Sequence, residues 1–419
     1  MKMNSKIINL GCRLNSYESE VIRDILEKNK INNTVVVNTC AVTNLAVKKS
    51  KQIIKKIKKE RPNDKILVTG CASQVEKEKF MGMKEVDRVI DNKLKTNQNS
   101  YRFNSFSFES EIKKKLKHFP HIISKLENKT RALLQIQQGC DHRCTFCIIP
   151  FGRGESVSLP IGEIVERAKT YMESGYKEII ITGVDITSYG NDLPGKPKLG
   201  EIIKRLFALV PNLKRLRLSS IDPAEIDDDL IDLVCNDSRL LPHIHFSVQS
   251  GDDIILKRMK RRHLRTDVIT ICKKIKKNRD SITFGADFIT GFPTESEEHH
   301  RNTVDLINKC NFTNLHIFPF SPKNGTPASR MPQVEETIKV VRSNQLRELG
   351  KNLKLKYLNS KVGKTSKILF ESYRSSYSDD FFKVFISDID KHENKKLKGK
   401  LVEVKFYDYD DKSILAKLV

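Results

Sequence analysis

No tryptophan occurs anywhere in the 419 residues, cysteine is confined to nine positions, and no apolar run nears the length of a membrane-spanning helix. The last absence excludes a helical membrane span, which needs about 20 predominantly apolar residues. The N-terminus, Met1-Lys-Met-Asn, runs straight into a strand-like Ile7-Ile8-Asn9-Leu10 without a signal-peptide pattern. A cytoplasmic, reducing setting is therefore expected, in which cysteines serve as ligands rather than as disulfides. A phosphate-binding loop is also missing, because Gly363-Lys364-Thr365 has Leu358 where that motif needs glycine. What remains is a chain long enough for two or three domains, each with its own core.

Acid is in short supply. Against 76 Lys+Arg stand 52 Asp+Glu, a formal net charge of +24. Such a balance favours a polyanionic partner, nucleic acid first. An AT-biased composition rich in Lys, Asn and Ile is the competing explanation. The charge is uneven: residues 1–130 carry about +14, residues 131–356 about +7 and residues 357–419 about +3. Its densest cluster runs from Lys48 to Arg61, eight basic residues and one acid, on a helix whose Ile53, Ile54 and Ile57 share one side.

Three of the cysteines fall within eight residues, Cys140-Asp-His-Arg-Cys144-Thr-Phe-Cys147, just after the apolar run Ala132 to Ile136. They occupy a loop leaving a predicted strand. Three thiolates at this spacing can hold three irons of a [4Fe–4S] cube and leave one iron open for a substrate. Zinc is the alternative, but structural zinc sites close with four ligands, usually from two Cys/His pairs. Only His142, lying between the thiols, could complete the set, so the spacing favours the cluster.

Residues 1–91 alternate short apolar strands with amphipathic helices, the pattern of a parallel sheet. Three of these strands stop at a cysteine: Lys6-Ile-Ile-Asn-Leu-Gly-Cys12, Val35-Val-Val-Asn-Thr-Cys40 and Lys65-Ile-Leu-Val-Thr-Gly-Cys71. Parallel strands finish on one edge, where such folds place ligands. Thiols 28 and 31 residues apart in sequence would therefore converge. Burial as core cysteines accounts for one such position more easily than for three equivalent ones, which favours a second three-thiolate site.

Residues 92–130 lose the pattern and read as a loosely packed linker, with Phe103, Phe106 and Phe108 scattered through it. Strands follow at 131–137, 178–182, 214–218, 243–248, 282–289 and 314–319, separated by helical segments. Six units are too few for a complete eight-fold barrel, so an open, partial (β/α)6 barrel is expected, with function at the carboxyl ends of its strands. There lie Thr182-Gly183-Val184-Asp185, Ser219-Ser220, Ser247-Val248-Gln249-Ser250-Gly251 and Asp287 through Glu295. Each alone could simply make a turn; their common placement singles them out. Residues 357–419 change to β-like runs and suggest a small OB-like β-barrel, a fold that often binds RNA. Cys235, Cys272 and Cys310 fall in helical segments and read as core packing.

Over nearly its whole length the chain resembles the radical S-adenosylmethionine methylthiotransferases. Cys140, Cys144, Phe146 and Cys147 match the radical-SAM signature. Gly11-Cys-Arg-Leu-Asn-Ser-Tyr-Glu-Ser19, Asn38-Thr-Cys-Ala-Val-Thr43 and Val68-Thr-Gly-Cys71 match that family's N-terminal cluster-binding domain. His245-Phe-Ser-Val-Gln-Ser-Gly251, Arg258-Met-Lys-Arg261 and Phe318-Pro-Phe-Ser-Pro322 resemble further family segments, and the tail resembles the TRAM RNA-binding domain. Gly-Cys-Arg-Leu-Asn is closest to the branch acting on threonylcarbamoyladenosine in tRNA. The isopentenyladenosine branch usually has Gln-Met-Asn after its first cysteine, and the ribosomal-protein branch Pro-Lys-Asn. Two positions depart from the family: Glu155-Ser156-Val157-Ser158 follows Arg153-Gly154 where a second arginine is common, and Lys323 stands where arginine is common.

The resemblance implies an N-terminal methylthiotransferase domain over 1–125, a radical SAM core over 126–356 and a TRAM-like domain over 357–419. It implies two [4Fe–4S] clusters, one on Cys140, Cys144 and Cys147 that cleaves S-adenosylmethionine to a radical, and one on Cys12, Cys40 and Cys71 that presents the sulfur. Gly183, Asp185, Ser247, Gln249 and Asp287 would lie near the S-adenosylmethionine. The implied substrate is the adenosine beside the anticodon in the tRNA anticodon loop. The implied electron donor is a protein such as a flavodoxin or ferredoxin, and no membrane partner is implied.

Overall fold

The computed structural model describes residues 5–102, 119–121, 123 and 129–419. Its first unit is a parallel sheet in the order β1-β2-β3-β4, formed by β1 (Lys6–Asn9), β2 (Thr34–Thr39), β3 (Lys65–Gly70) and β4 (Arg88–Val89). The β-branched run of β2 is buried at every position, as a central strand covered on both faces must be. Ile7 pairs with Val36, Val36 with Leu67 and Leu67 with Arg88. That register brings the carboxyl ends of β1, β2 and β3 to one edge.

The crossovers are α1 (Arg13–Lys28) and α2 (Asn44–Glu60), and the short helices α3 (Cys71–Val75) and α4 (Lys77–Met81) follow β3. Thr43 caps α2 by accepting from the Ala46 N–H at 3.1 Å. Ile54 and Ile57 of α2 are buried, Ile53 is half-buried, and Lys48, Lys49, Lys55, Lys56 and Lys59 face solvent.

The loose packing expected over 92–130 is not what residues 92–102 show. Lys95 and Tyr101 are buried, and the Tyr101 hydroxyl donates to the Lys95 carbonyl at 2.5 Å. The physical reason is an ion pair between Lys95 and the buried Glu18 of α1, which ties the segment down. Phe103, Phe106 and Phe108 lie outside the described residues.

The central unit contains β5 (Ala132–Gln135), β8 (Ile179–Thr182), β9 (Leu216–Leu218), β10 (His243–Gln249), β11 (Thr283–Thr290) and β12 (Phe312–Pro319). Between β5 and β8 an antiparallel ribbon, β6 (Gln137–Gln138) with β7 (Val157–Ser158), brackets the cysteine loop and helix α5 (Ile149–Arg153). The sheets β5-β8-β9 and β10-β11-β12 are parallel throughout. Bridges Leu216–Leu240 and Ile221–Phe246 join them into one open barrel of six strands. Helices α6 (Ile161–Glu173), α7 (Leu199–Leu209), α8 (Asp228–Asn236), α9 (Asp253–Arg258), α10 (Arg265–Asn278) and α11 (Glu297–Cys310) intervene, and α12 (Glu336–Asn359) follows β12.

Burial alternates strictly along β10. Ile244, Phe246 and Val248 are buried, while His243, His245, Ser247 and Gln249 are half-buried and line the lumen. On the first edge of the barrel, α1 lies against β5 and packs Tyr17, Val21 and Ile25 into the common core.

The C-terminal unit is a closed barrel in the order β13-β14-β15-β17-β16. Its strands are β13 (Thr365–Leu369), β14 (Ser376–Tyr377), β15 (Lys383–Ile386), β16 (Leu401–Tyr409) and β17 (Ile414–Leu418), around Ile368, Phe370, Val384, Val404 and Phe406. Its 378–381 loop docks under the amino ends of the central strands. Arg217 donates to the carbonyls of Asp379 at 2.8 Å and Ser378 at 2.9 Å, and Thr283 donates to the Asp380 carbonyl at 2.9 Å.

Candidate metal centres and barrel lumen

The cysteine loop is built on Gly139, whose φ of +71° and closeness to Glu155 admit no side chain: a Cβ would stand 1.8 Å from the Glu155 carbonyl oxygen. Gln137 ties this loop to the next strand end. Its amide nitrogen donates to the Gly139 carbonyl and the Ser156 hydroxyl, both at 2.9 Å, and its oxygen accepts from the N–H groups of Val184 and Asp185 at 3.0 and 2.9 Å. Asp185 Oδ2 then lies 3.9 Å from Cys140 Sγ, and Arg261 Nη1 lies 3.9 Å from Cys144 Sγ. Burial, with Asp185 adding, pushes the Cys140 thiol up to about 12, and burial pushes Cys147 up to about 11. A metal bound by these thiols must displace their protons.

His142 and Asp185 also lie within coordinating distance of Cys140. The imidazole, however, is engaged elsewhere: its Nε2 is 2.9 Å from Asp185 and 3.4 Å from Glu225. These two hydrogen bonds hold it protonated, up to about 10. Arg262 Nη2 stands 2.8 Å from the same nitrogen and opposes that proton, but one guanidinium is outweighed by two carboxylates. With Nε2 turned toward those two carboxylates, the donors the loop leaves for a metal are its three sulfurs rather than a zinc-type Cys/His set.

The second set is assembled by the sheet edge. Gly70, with φ of +102°, lets β3 turn into α3 at Cys71; a Cβ there would meet the Thr39 carbonyl oxygen at 2.4 Å. Asn15 laces the strand ends together, donating to Asn38 Oδ1 at 3.3 Å and the Thr39 carbonyl at 3.1 Å, with its own Oδ1 3.7 Å from Cys12 Sγ. Burial, then the thiols of Cys71 and Cys12, raise the Cys40 thiol. Buried Lys323 donates to Asn44 Oδ1 at 2.9 Å, a single contact where an arginine fork would make two.

The two sets face each other across one loop. Asn92 Nδ2 is 3.9 Å from Cys71 Sγ and donates to the Gly152 carbonyl at 2.6 Å. One residue on, Arg153 grips Glu18 through two contacts at 2.8 and 3.0 Å, and Lys95 closes on the same carboxylate. Burial would raise the Glu18 carboxyl, but the Arg153 and Lys95 cations outweigh it and hold the group below the ordinary carboxylate range.

Gly183 and Asp185 lie beside the cysteine loop. Ser247 and Gln249 close β10, where Arg261 donates to the Ser247 carbonyl at 2.7 Å. Gln249 has φ of +73°, a left-handed conformation uncommon for a non-glycine residue. Among the described residues the side chains of Ser247 and Gln249 make no hydrogen bond. Asp287 is placed differently, deeper in the lumen, with His245 Nε2 at 2.9 Å and His316 Nδ1 at 3.0 Å. Burial acts to raise its carboxyl, and those two imidazoles hold it well below the usual range. Cys272 and Cys310 are buried in the core and Cys235 packs partly against it.

Sequence reasoning missed Gln137 and the Glu18–Arg153–Lys95 network. Only for Glu18 was a signal present: a carboxylate on the buried face of an amphipathic helix must find a cation.

Residues 134–307 match the Radical SAM superfamily, and residues 4–91 match the uncharacterized protein family UPF0004. The chain is 46% identical to the threonylcarbamoyladenosine tRNA methylthiotransferase MtaB of Rickettsia prowazekii over 91% of both proteins. It is 32% identical to the MtaB of Bacillus subtilis over 94% of this chain and 92% of that one. A tRNA-2-methylthio-N(6)-dimethylallyladenosine synthase of Neorickettsia sennetsu is 32% identical over 86% of this chain and 82% of its own length. Among solved structures, the radical S-adenosylmethionine methyltransferase TsrM of Kitasatospora setae superposes with a TM-score of 0.55 at 14% identity, covering 78% of this chain and 77% of that one, a likeness of fold.

Proposed function

The chain belongs to the radical S-adenosylmethionine tRNA methylthiotransferases, and we propose that Cys140, Cys144 and Cys147 hold one of its [4Fe–4S] clusters and Cys12, Cys40 and Cys71 the other. The reaction is insertion of a methylthio group at C2 of N6-threonylcarbamoyladenosine in tRNA, with S-adenosylmethionine and [4Fe–4S] clusters as cofactors. When bound, these cofactors supply the radical and sulfur chemistry, which no acid or base side chain can perform on an unreactive aromatic C–H.

The chain's own residues bind and orient. Gln137 fixes Gly183–Asp185 against the cysteine loop, and Asp185, Ser247 and Gln249 offer polar groups at the barrel mouth where S-adenosylmethionine would lie. Asp287 orients His245 and His316 beneath them. Arg153, clamped on Glu18, sets the distance between the two cysteine sets. Residues 1–125, 126–356 and 357–419 act as cluster-binding, radical SAM and RNA-binding units. The solvent-facing lysines of α2 meet the tRNA backbone, and a flavodoxin- or ferredoxin-like protein delivers the electron.

The observation that supports this reading most is the closeness of the two three-thiol sets, bridged by Asn92 between Cys71 and the Gly152 carbonyl. Anaerobically reconstituted protein should be brown and hold about eight irons per chain, four per cube. A maximum of about four irons would sink the two-cluster assignment. Mass spectrometry of tRNA nucleosides from a deletion strain should show loss of the methylthio group from threonylcarbamoyladenosine; loss from isopentenyladenosine instead would redirect the substrate.

A further inference from the structure

The substrate carries, on N6 of its adenine, a threonyl group with a free carboxylate and a hydroxyl.

Arg13 follows Cys12 directly at the start of α1, and its side chain reaches into the lumen of the open barrel. It is solvent-exposed, with the charges of Arg217, Arg131 and Glu178 close enough to act on it. Its guanidinium stands 5.3 Å over the ring of Phe381. Phe381 belongs to the C-terminal barrel's docking loop and forms the lumen floor, stacked between Tyr377 and His243 with ring centroids 5.2 Å away on each side. Its φ of +69° is a strained conformation for a bulky residue. That strain is maintained by the docking contacts from Arg217 and Thr283 described above.

Arg217 covers the same ring at 5.2 Å, but each of its three nitrogens is engaged, with Glu178 at 2.7 Å and with two loop carbonyls. The buried arginines Arg153, Arg215 and Arg342 likewise each grip a carboxylate. Among the described residues, no carboxylate or carbonyl accepts from Arg13. The carboxylate whose charge reaches Arg13, Glu178, is committed to Arg131, Arg215 and Arg217. A cation held by an aromatic face and left with a free N–H fork is a preformed site for a planar anion.

The scale also fits. On the reading above, Cys12 holds the cluster that serves C2, and the threonyl carboxylate lies several bonds away across the six-membered ring. An arginine one residue from Cys12 spans a comparable distance. Resting on that reading of the reaction, we propose that Arg13 is the specificity-determining residue of this enzyme, pairing with the carboxylate of the threonylcarbamoyl group in the lumen above Phe381.

The test uses reconstituted holoenzyme and three anticodon stem-loop RNAs: one with threonylcarbamoyladenosine, one with its carboxylate methyl-esterified, and one with isopentenyladenosine. Binding is read by fluorescence anisotropy and methylthiolation by nucleoside mass spectrometry. Wild type should bind the acid about ten- to a hundred-fold more tightly than the ester, the range for a charge-assisted pair in a partly desolvated site. Arg13→Gln should bind acid and ester alike, at the wild-type ester level, with KM rising more than kcat falls. Arg13→Lys, which keeps the charge but loses the fork, should retain part of the preference.

An acid–ester contrast that survives intact in Arg13→Gln overturns the proposal, as does a wild type indifferent to esterification, the result expected if Arg13 met a backbone phosphate. The wild-type contrast needs no variant, so poor folding of Arg13→Gln cannot shelter the idea. A wild type that modifies only the isopentenyl RNA overturns the functional reading itself. One that modifies the acid RNA without regard to Arg13 or the ester overturns only this inference.

Discussion

The two cysteine sets reach the same three-thiol composition by opposite routes. Cys140, Cys144 and Cys147 are neighbours in sequence, held by one loop between the arms of the β6–β7 ribbon. Cys12, Cys40 and Cys71 are neighbours only because three strands pair in register and Asn15 ties their ends. The first site is encoded in spacing and the second in topology. The loop set should therefore depend on local backbone geometry, and the sheet set on packing well away from its sulfurs.

The largest expected effects separate the sets by chemistry. Cys144→Ala should abolish S-adenosylmethionine cleavage, and Cys40→Ala should leave cleavage but stop sulfur insertion. Each should lower iron from about eight to about four per chain. Methylthiolated product from Cys40→Ala, measured by mass spectrometry, would show that the sets are not distinct in role.

A smaller but still severe effect is expected where the sets join. Glu18→Gln leaves Arg153 and Lys95 as buried cations with a neutral partner, and breaking a buried pair typically costs about 3–5 kcal/mol. Chemical denaturation should show that loss, with iron falling in both sets together. The wild-type carboxyl is held low, so its stabilising contribution is complete above the ordinary carboxylate range and is lost as pH falls through the depressed value. Unchanged acid stability in Glu18→Gln would remove the network from the account.

The two glycines sharpen the contrast further. Gly139→Ala and Gly70→Ala each place a Cβ against a carbonyl oxygen at a positive φ, at 1.8 and 2.4 Å respectively. Backbone strain of this kind costs on the order of 1–3 kcal/mol. Iron should be lost from the loop set in the first variant and from the sheet set in the second, with S-adenosylmethionine cleavage reporting which. The same lost activity in both would mean that the sets assemble as one unit.

Much of this was legible beforehand, and the illegible part has a common cause. The six central strands appear within a few residues of where apolar runs placed them, because strands with helices on their outer face advertise themselves by composition. The C-terminal barrel was expected from its β-rich runs, but β14, two residues long at Ser376–Tyr377, carries too little pattern to be seen. Asp287 could be assigned to a strand end, yet its two imidazole partners come from neighbouring strands and only the register brings them together. Arg13 and Phe381 are 368 positions apart and meet only because the C-terminal barrel docks beneath the central one. Spacing can reveal a loop; it cannot reveal a docking.

The smallest expected effect concerns Lys323, the one departure from the family pattern that lies beside the sheet set. Burial lowers its proton affinity, and its ammonium makes one hydrogen bond, to Asn44 Oδ1 at 2.9 Å. Lys323→Ala leaves that oxygen without its donor and removes a positive charge near Cys40, at about 1–3 kcal/mol for an unmet polar group. The loss should fall at the low end, because Asn44 is itself exposed and water can replace the donor. If topology holds the sheet set together, the variant should lose iron to a chelator only slightly faster than wild type, and only from the Cys12, Cys40 and Cys71 set. A large loss would mean that this set relies on a local cation after all, which would make it more like the loop set, where Arg261 stands 3.9 Å from Cys144.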